Sequence, residues 1–127
     1  YPDAARFLGQ VSQDHVKRVY SASDALVYPA PSSAHPYFLR DTSPMKLFEY
    51  MAAGKPIICA DLPPVHDVLG AEDALFVAPG SSDAVARAIT SLMDDPAAAQ
   101  QRAAHAGGII KNHTWSARMS RILTHVL

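Results

Sequence analysis

The chain lacks several features that mark common classes of protein. It has a single cysteine, Cys59, which excludes an internal disulfide framework and a cysteine-rich zinc site. No apolar run approaches the ~20 residues that cross a bilayer, and no signal peptide opens the sequence. Eleven Lys and Arg residues against twelve Asp and Glu leave no basic excess for a nucleic acid. These absences favour a soluble, cytoplasmic, globular domain with no nucleic-acid partner.

What is present is enough apolar sequence for one hydrophobic core. The 127 residues suit a single domain, and an apolar content of 49% with 18% charged residues excludes extensive disorder. The sequence begins at Tyr1 without an initiator methionine. We therefore expect it to be a piece of a longer polypeptide.

Short apolar runs alternate with amphipathic segments along most of the chain. Strands are predicted at residues 6–9, 25–28, 56–60 and 74–77, and their nearly continuous apolar character is typical of strands covered on both faces. The segments between them carry apolar residues at helical spacing. This alternation predicts an α/β fold, with a Rossmann-like open parallel sheet and helices on both faces.

The carboxyl-terminal part has a different pattern. After Pro96 an Ala-rich segment runs to Gly107 and Gly108, and a last amphipathic helix follows, with Trp115 expected to anchor its packing. No strand follows this helix. We expect a helical tail that packs across the sheet or against an absent neighbour.

The segment 41–56 is the best candidate for a functional site. Ser43 is predicted to cap a helix, Pro44 to occupy its first position and Gly54 to end it. Lys46 then stands at the third position, where a cation opposes the helix dipole at a cost of ~0.3–1 kcal/mol. Free backbone N–H groups, the positive helix end and a lysine together favour a phosphate-binding site.

Two carboxylates accompany this predicted phosphate site. Glu49 lies three residues after Lys46, on the same helix face, where it could accept hydrogen bonds from vicinal hydroxyls such as those of a ribose. Asp41 lies in the preceding loop and could meet another polyol. An exposed Lys46–Glu49 ion pair with a solvated Asp41 remains the alternative, because such pairs are common and weak.

Residues 43–58 resemble the donor-site helix of the retaining glycosyltransferases of family 4, group 1. Residues 7–11, 21–29 and 74–80 are also similar to that family, and the similarity extends to Trp115 and Ser116. The resemblance implies that residues 1–127 are a truncated carboxyl-terminal domain of a GT-B enzyme, which binds the nucleotide-sugar donor. Further βα units at its start and an amino-terminal acceptor domain would then be missing.

The resemblance also implies roles for individual residues. Glu49 matches the second acid of the family, which holds the donor ribose, and Asp41 matches the first, catalytic acid, which faces the transferred sugar. Gln10 and Val11 would lie near the base. Backbone amides of the helix start would face the sugar and diphosphate, with the donor-binding positions Ser43, Pro44, Met45, Lys46 and Leu47. Asp41 is one methylene shorter than the usual Glu, a departure that bears on the sugar more than on the nucleotide.

The function implied is transfer of a sugar from a nucleotide-sugar to an acceptor with retention, in polysaccharide biosynthesis, without a cofactor or a metal. Peripheral membrane association would concern only the intact enzyme. Two alternatives stay open: a sugar-nucleotide epimerase of GT-B architecture, and a non-catalytic nucleotide-binding α/β module. The six histidines show no ligand-type spacing, and Cys59, after two isoleucines, is predicted to be a buried, inert thiol.

Overall fold

The computed structural model describes residues 4–32 and 35–126. Three parallel strands form one sheet in the order β1 (Leu26–Tyr28), β2 (Ile57–Ala60) and β3 (Leu75–Val77). Leu26 pairs with Ile57, and Ile58 with Leu75. The predicted parallel sheet is confirmed, and these strands lie within the predicted runs.

The strand predicted at residues 6–9 is wrong. These residues pair with no strand in the described part of the chain, and the Phe7 side chain is 96% exposed. Gly9 then turns the chain with a positive φ of 65°. An apolar run forms a stable strand only where neighbours supply hydrogen bonds and cover its side chains, and here neither is provided.

Six α-helices and two shorter helical turns are present in the described residues. Ser12 and Ser81 cap α1 and α4 by accepting from the N–H groups of His15 and Ala84. The bounds are α1 (Gln13–Ala22), α2 (Met45–Ala53), α3 (Pro63–His66), α4 (Ser82–Asp94), α5 (Pro96–Ile109) and α6 (Trp115–Val126), with a π-helical segment (Tyr37–Asp41) before α2 and a 3-10 turn (Ile110–His113) before α6.

Alternate residues of β2 point to opposite faces of the sheet, so the chain has a core on each side. Ile57 and Cys59 face the larger core, which buries side chains from α2, α3 and α5. Ile58 faces a smaller core that it shares with α4. Both isoleucines are at most 1% exposed. Helices therefore cover both faces, as the continuous apolar pattern of this strand predicts.

Helix α5 packs through small side chains. Ala99, Ala103 and Ala106 are buried along one stripe, which lets the α5 backbone approach its neighbours closely. Gly107 and Gly108 were expected to end the Ala-rich segment, but they lie inside α5. A Cβ built on Gly107 would be 3.8 Å from the Met51 carbonyl oxygen of α2, so this glycine lies beside the site-bearing helix.

A buried carboxylate fixes α5 to the turn before β3. The Asp73 side chain is 6% exposed; it accepts from the Gly70 N–H at 2.6 Å and contacts His105 Nδ1 at 2.5 Å. This hydrogen bond with Asp73 raises the pKa of His105 above 6.5, and the exposed Glu72 carboxylate adds to the effect. Protonation of His105 thus stabilises the fold. This contribution is complete below the ordinary histidine pKa and is lost as the pH rises through the higher folded-state value.

The apolar stripe of α6 has little cover in the described residues. Trp115 is 76% exposed, and its ring meets the Arg118 guanidinium at 5.6 Å. Met119, Ile122 and Leu123 are each about half exposed. The predicted helix exists, but the prediction that Trp115 anchors packing is wrong here, because the main contact of α6 is with the adjoining 3-10 turn rather than with the sheet.

Candidate functional site

The candidate site lies beyond the carboxyl end of β1, at the edge where ligands of parallel α/β sheets bind. From Tyr28 the chain leaves the sheet, forms the π-helical segment and then enters α2. Helix α1 comes just before β1 and packs beside α2. Residues far apart in sequence therefore meet at the start of α2.

The start of α2 differs from the prediction that Ser43 caps it. Pro44, with φ −80° and ψ 59°, is the last residue before the helix, and no side chain caps that end. The Met45 N–H donates to the Ser43 carbonyl oxygen at 2.8 Å, which makes an inverse γ-turn centred on Pro44. This turn keeps Pro44 out of the helix, so Lys46 is the second helical residue, not the third. The predicted exit is confirmed, since Gly54 ends α2 with φ 64°.

Two of the backbone N–H groups that were expected to face a diphosphate already have acceptors within this turn. The Met45 N–H donates to the Ser43 carbonyl oxygen, and the Leu47 N–H donates to the Pro44 carbonyl oxygen at 2.9 Å. The Leu47 side chain is fully buried in the core, so it fixes the helix rather than lining a pocket. The Lys46 backbone N–H donates to no acceptor within residues 4–32 and 35–126. The Lys46 amide and side chain therefore remain available for an anion.

Lys46 and Glu49 form the ion pair that their spacing predicts, and Tyr20 joins them. Lys46 Nζ lies 3.6 Å from Glu49 Oε2, and both side chains are about half exposed. The Tyr20 hydroxyl donates to the same Oε2 at 3.0 Å and accepts from Lys46 Nζ at 3.3 Å. This set of three residues is called the Tyr20 cluster below.

The core holds the Tyr20 ring in place. The Tyr20 and Tyr50 rings pack edge to face: their centroids are 5.4 Å apart and their planes are at 85°, which is a favourable aromatic geometry. Tyr50 is partly buried against the larger core, and its hydroxyl donates to the Val27 carbonyl oxygen of β1 at 3.4 Å. Burial raises the pKa of Tyr50. The Tyr20 cluster is thus connected to the sheet through one ring contact.

Electrostatics in the cluster favour the charged form of Lys46. The hydrogen bond to the Tyr20 hydroxyl is the largest cause that raises the pKa of Lys46, and the Glu49 carboxylate adds to it. A lysine that stays protonated near a helix amino terminus can bind an anion. The unfavourable interaction between the Lys46 charge and the helix dipole is partly offset by the Glu49 carboxylate, which lies one turn away.

The other predicted site residues belong to the segments that lead into α1 and α2. Asp41 ends the π-helical segment; it is exposed, and its carboxylate has no hydrogen bond or ion pair with other described residues. Such π-helical turns are common at functional sites. Gln10 is exposed and Val11 half-buried, just ahead of the α1 cap, and Met45 is 60% exposed.

A groove of about 440 Å³ runs between α1 and α2 beside the Tyr20 cluster. Gln13, Val16 and Lys17 of α1 line one wall, and Glu49 and Ala52 of α2 line the other. Tyr20 lies in it too and was not singled out as a site residue from the sequence. In the sequence, Tyr20 was noted only as part of the apolar stripe of α1, and such a stripe does not indicate contact with a carboxylate 29 residues away.

Neither Cys59 nor a cluster of metal ligands gives a second site in the part of the chain that the structure describes. Cys59 is buried, as predicted, and burial raises the pKa of its thiol to about 12, with the Asp61 carboxylate adding to the shift. Within the described residues, no group of three or more His, Cys, Asp and Glu side chains could hold a metal ion. No helix in that part of the chain has the length and apolar character to cross a membrane.

Comparison with known proteins shows the family. A sequence profile described as "Glycosyl transferases group 1" matches residues 1–108. The chain belongs to this family. The resemblance inferred from residues 43–58 is therefore confirmed at the level of the group 1 glycosyl transferases.

Individual relatives agree with this membership. The phosphatidyl-myo-inositol mannosyltransferase of Mycobacterium leprae is 31% identical over 93% of the chain, and a glycogen synthase of Mycobacterium tuberculosis is 31% identical over 79%. Among solved structures, a sucrose-phosphate synthase from Thermosynechococcus elongatus (24% identity over 98% of the chain) and Anabaena HepE in complex with UDP and glucose (19% over 95%) each give a TM-score of 0.74. At these identities the structures show the shared fold.

This glycosyl transferase chain is much shorter than its relatives. It covers 30% of the mannosyltransferase, 22% of the glycogen synthase and 32% of HepE. The activity of a whole relative therefore cannot be assigned to these 127 residues by similarity alone.

Proposed function

We propose that this chain is the donor-binding, carboxyl-terminal domain of a retaining glycosyltransferase of GT-B architecture, and that it binds a nucleotide-sugar. The observation that carries the proposal is the Tyr20 cluster. It brings together, on the helix that follows β1, a lysine, a carboxylate and a backbone amide that has no acceptor among the described residues. Those three groups match the phosphate and the vicinal hydroxyls of a nucleotide.

Each group of the cluster has a distinct role in the proposal. The Lys46 ammonium and backbone N–H bind diphosphate oxygens, since both are donors near the positive end of α2. Glu49 accepts hydrogen bonds from the ribose hydroxyls, a charge-assisted contact that is stronger than a neutral one. The half-exposed state of both side chains leaves them accessible to a ligand from solvent.

The reaction proposed is displacement at the anomeric carbon of the donor sugar. The bond from this carbon to the diphosphate oxygen breaks, and the nucleoside diphosphate leaves with the electron pair. The acceptor hydroxyl oxygen forms the new glycosidic bond and its proton is released. Negative charge grows on the diphosphate as the bond breaks, so donors fixed at the start of α2 stabilise the transition state more than the bound substrate.

Asp41 is proposed to face the sugar. It lies four residues ahead of α2 and is exposed, and its carboxylate has no partner among the described residues, so a ligand can reach it. Ser43, Pro44, Met45 and Leu47 shape the start of α2, and Gln10 and Val11 are proposed to lie near the base. The wider assignments, a cytoplasmic enzyme of polysaccharide biosynthesis with an acceptor domain outside this chain, belong to the same proposal.

The first experiment is titration of the full-length native protein with UDP, ADP and GDP by calorimetry. UDP comes first because the HepE complex contains it. Glu49→Gln should weaken the tightest of these ligands by about 10- to 100-fold, as expected for loss of a charged hydrogen bond worth about 1.5–3 kcal/mol. Asp41→Asn should lower kcat for sugar transfer and leave this affinity nearly unchanged.

Asp14→Asn is the matched control. Asp14 and Lys17 form an ion pair at 3.5 Å with the same three-residue spacing, and both are more than 70% exposed. Its loss should change affinity by less than about 1 kcal/mol, as for surface pairs in general. If Glu49→Gln leaves the affinity for the nucleotide unchanged, the proposed ribose contact is contradicted and the Lys46–Glu49 contact is an ordinary surface ion pair. Conversion of the donor sugar into its epimer without an acceptor would favour the epimerase alternative, and transfer activity by the 127 residues alone would contradict the expected need for an acceptor domain.

A further inference from the structure

The position of the Tyr20 hydroxyl is the least expected feature of the site. A phenol has one proton to donate and lone pairs to accept with, and both are used here: the proton goes to Glu49 Oε2, and the oxygen accepts from Lys46 Nζ. Without this hydroxyl, the Lys46–Glu49 pair would be a half-exposed contact at 3.6 Å, of the kind that holds no fixed geometry.

The support for this hydroxyl comes from the core. Tyr50 follows Glu49 directly in α2, and its ring contacts the edge of the Tyr20 ring. The Tyr50 hydroxyl donates to the Val27 carbonyl oxygen of β1. Sheet, Tyr50 and Tyr20 therefore form a continuous series of contacts that ends on one carboxylate oxygen of Glu49.

The second oxygen of that carboxylate is the one left for a ligand. Only Oε2 of Glu49 takes part in the contacts with Tyr20 and Lys46, and Oε1 has no hydrogen bond with a described residue. A glutamate free to rotate would lose side-chain entropy on binding, and a glutamate already held by Tyr20 would lose less.

We propose that Tyr20 is a positioning residue that orients Glu49 for the ribose of the nucleotide, an inference that rests on the proposed function of Glu49. Tyr20 acts through the carboxylate and does not itself touch the ligand. Loss of its hydroxyl should therefore weaken ligands that use Glu49 more than ligands that do not, because its contact with Lys46 concerns both kinds of ligand.

The test is Tyr20→Phe, which keeps the ring against Tyr50 and removes the hydroxyl. The full-length native protein is titrated with the tightest binder of UDP, ADP and GDP and with its 2′,3′-dideoxy form, which lacks the hydroxyls that Glu49 would bind. Tyr20→Phe should weaken the normal ligand by about three- to tenfold, the range expected for ordering one flexible side chain. It should weaken the dideoxy ligand less, because only the contact of the hydroxyl with Lys46 concerns that ligand.

Two further variants separate this role from a structural one. In a double-mutant cycle, Tyr20→Phe should have a smaller effect in the Glu49→Gln background than in the native protein, because the residue through which it mainly acts is already altered. Tyr50→Phe is the matched control: it keeps the ring that contacts Tyr20, removes a hydroxyl whose hydrogen-bond partner among the described residues is the Val27 carbonyl, and should change affinity less than twofold.

The outcomes distinguish the two proposals. If Glu49→Gln weakens the normal ligand and Tyr20→Phe does not, the positioning role is overturned and the proposed function stands. If Glu49→Gln has no effect, both fail. Equal weakening of the normal and dideoxy ligands by Tyr20→Phe, or the same loss in Tyr50→Phe, would show a general packing effect and overturn the positioning role.

Discussion

Substitution of Gly80 tests whether this residue packs closely against Ala30 and Ser32, in the segment between β1 and α2. It follows β3 with φ 74°, and its N–H donates to the Ala30 carbonyl oxygen at 2.7 Å. A Cβ built on it would lie 2.6 Å from Ser32 Cβ and 2.7 Å from the Ser32 backbone nitrogen. Since one of these atoms belongs to the backbone, a rotamer change cannot relieve the overlap.

The expected cost of Gly80→Ala has two parts. A left-handed conformation costs a non-glycine residue about 1–2 kcal/mol. Forcing atoms into an occupied space adds about 1–3 kcal/mol. We therefore expect the free energy of unfolding to fall by about 2–5 kcal/mol, a large share of the ~5–15 kcal/mol that stabilises a typical domain.

Gly54→Ala separates the two contributions. Gly54 has nearly the same φ, 64°, but a Cβ there would meet nothing within 4 Å. Its substitution should cost only the conformational part, about 1–2 kcal/mol. Urea unfolding of the two variants and of the unsubstituted protein, analysed with a common m-value, measures the difference in the free energy of unfolding. Equal destabilisation of the two variants would refute the close approach of Gly80 to the Ser32 loop.

Three other predictions follow from groups outside the site. His105→Gln should remove the loss of stability that we expect as the pH rises through the elevated histidine pKa, measured by thermal unfolding between pH 5 and about 9; an unchanged pH profile in this variant would contradict the role of the Asp73 contact. The Cys59 thiol should stay unreactive toward a disulfide reagent in the native chain and react fully in urea, and rapid native labelling would contradict its burial. Trp115, the only tryptophan, should be quenched by acrylamide nearly as well as a free indole, so a protected emission would show that α6 is covered.

Elements with a strong local signal were predictable from the sequence. β2 and β3 lie within their predicted runs because buried parallel strands are continuously apolar. The run at residues 6–9 was also predicted from its apolar residues, Phe7 and Leu8, but it pairs with no strand in the described chain, and a local pattern cannot supply a partner. Strand prediction here was correct only where tertiary partners exist.

The site was predictable only in part. The contact between Lys46 and Glu49 follows from helical spacing. The inverse γ-turn at Pro44 was missed because Ser-Pro ahead of a helix fits a capped start equally well, and the backbone path decides between them. Tyr20 was missed because its contact depends on how α1 packs against α2, which no local pattern encodes.

The order of elements along the chain has a consequence for synthesis. Tyr20, Lys46 and Glu49 all precede β2, so the ribosome releases every residue of the Tyr20 cluster early. The buried face of α2, with Leu47 and Met51, packs in the same core as Ala106 of α5, which emerges much later. Parallel strands also need a completed crossover before they can pair, so the nascent chain has few stabilising contacts to offer α2 before then. Within these 127 residues, the Tyr20 cluster is therefore synthesised before β2 and α5, and the core packing of α2 is completed only after those later elements emerge.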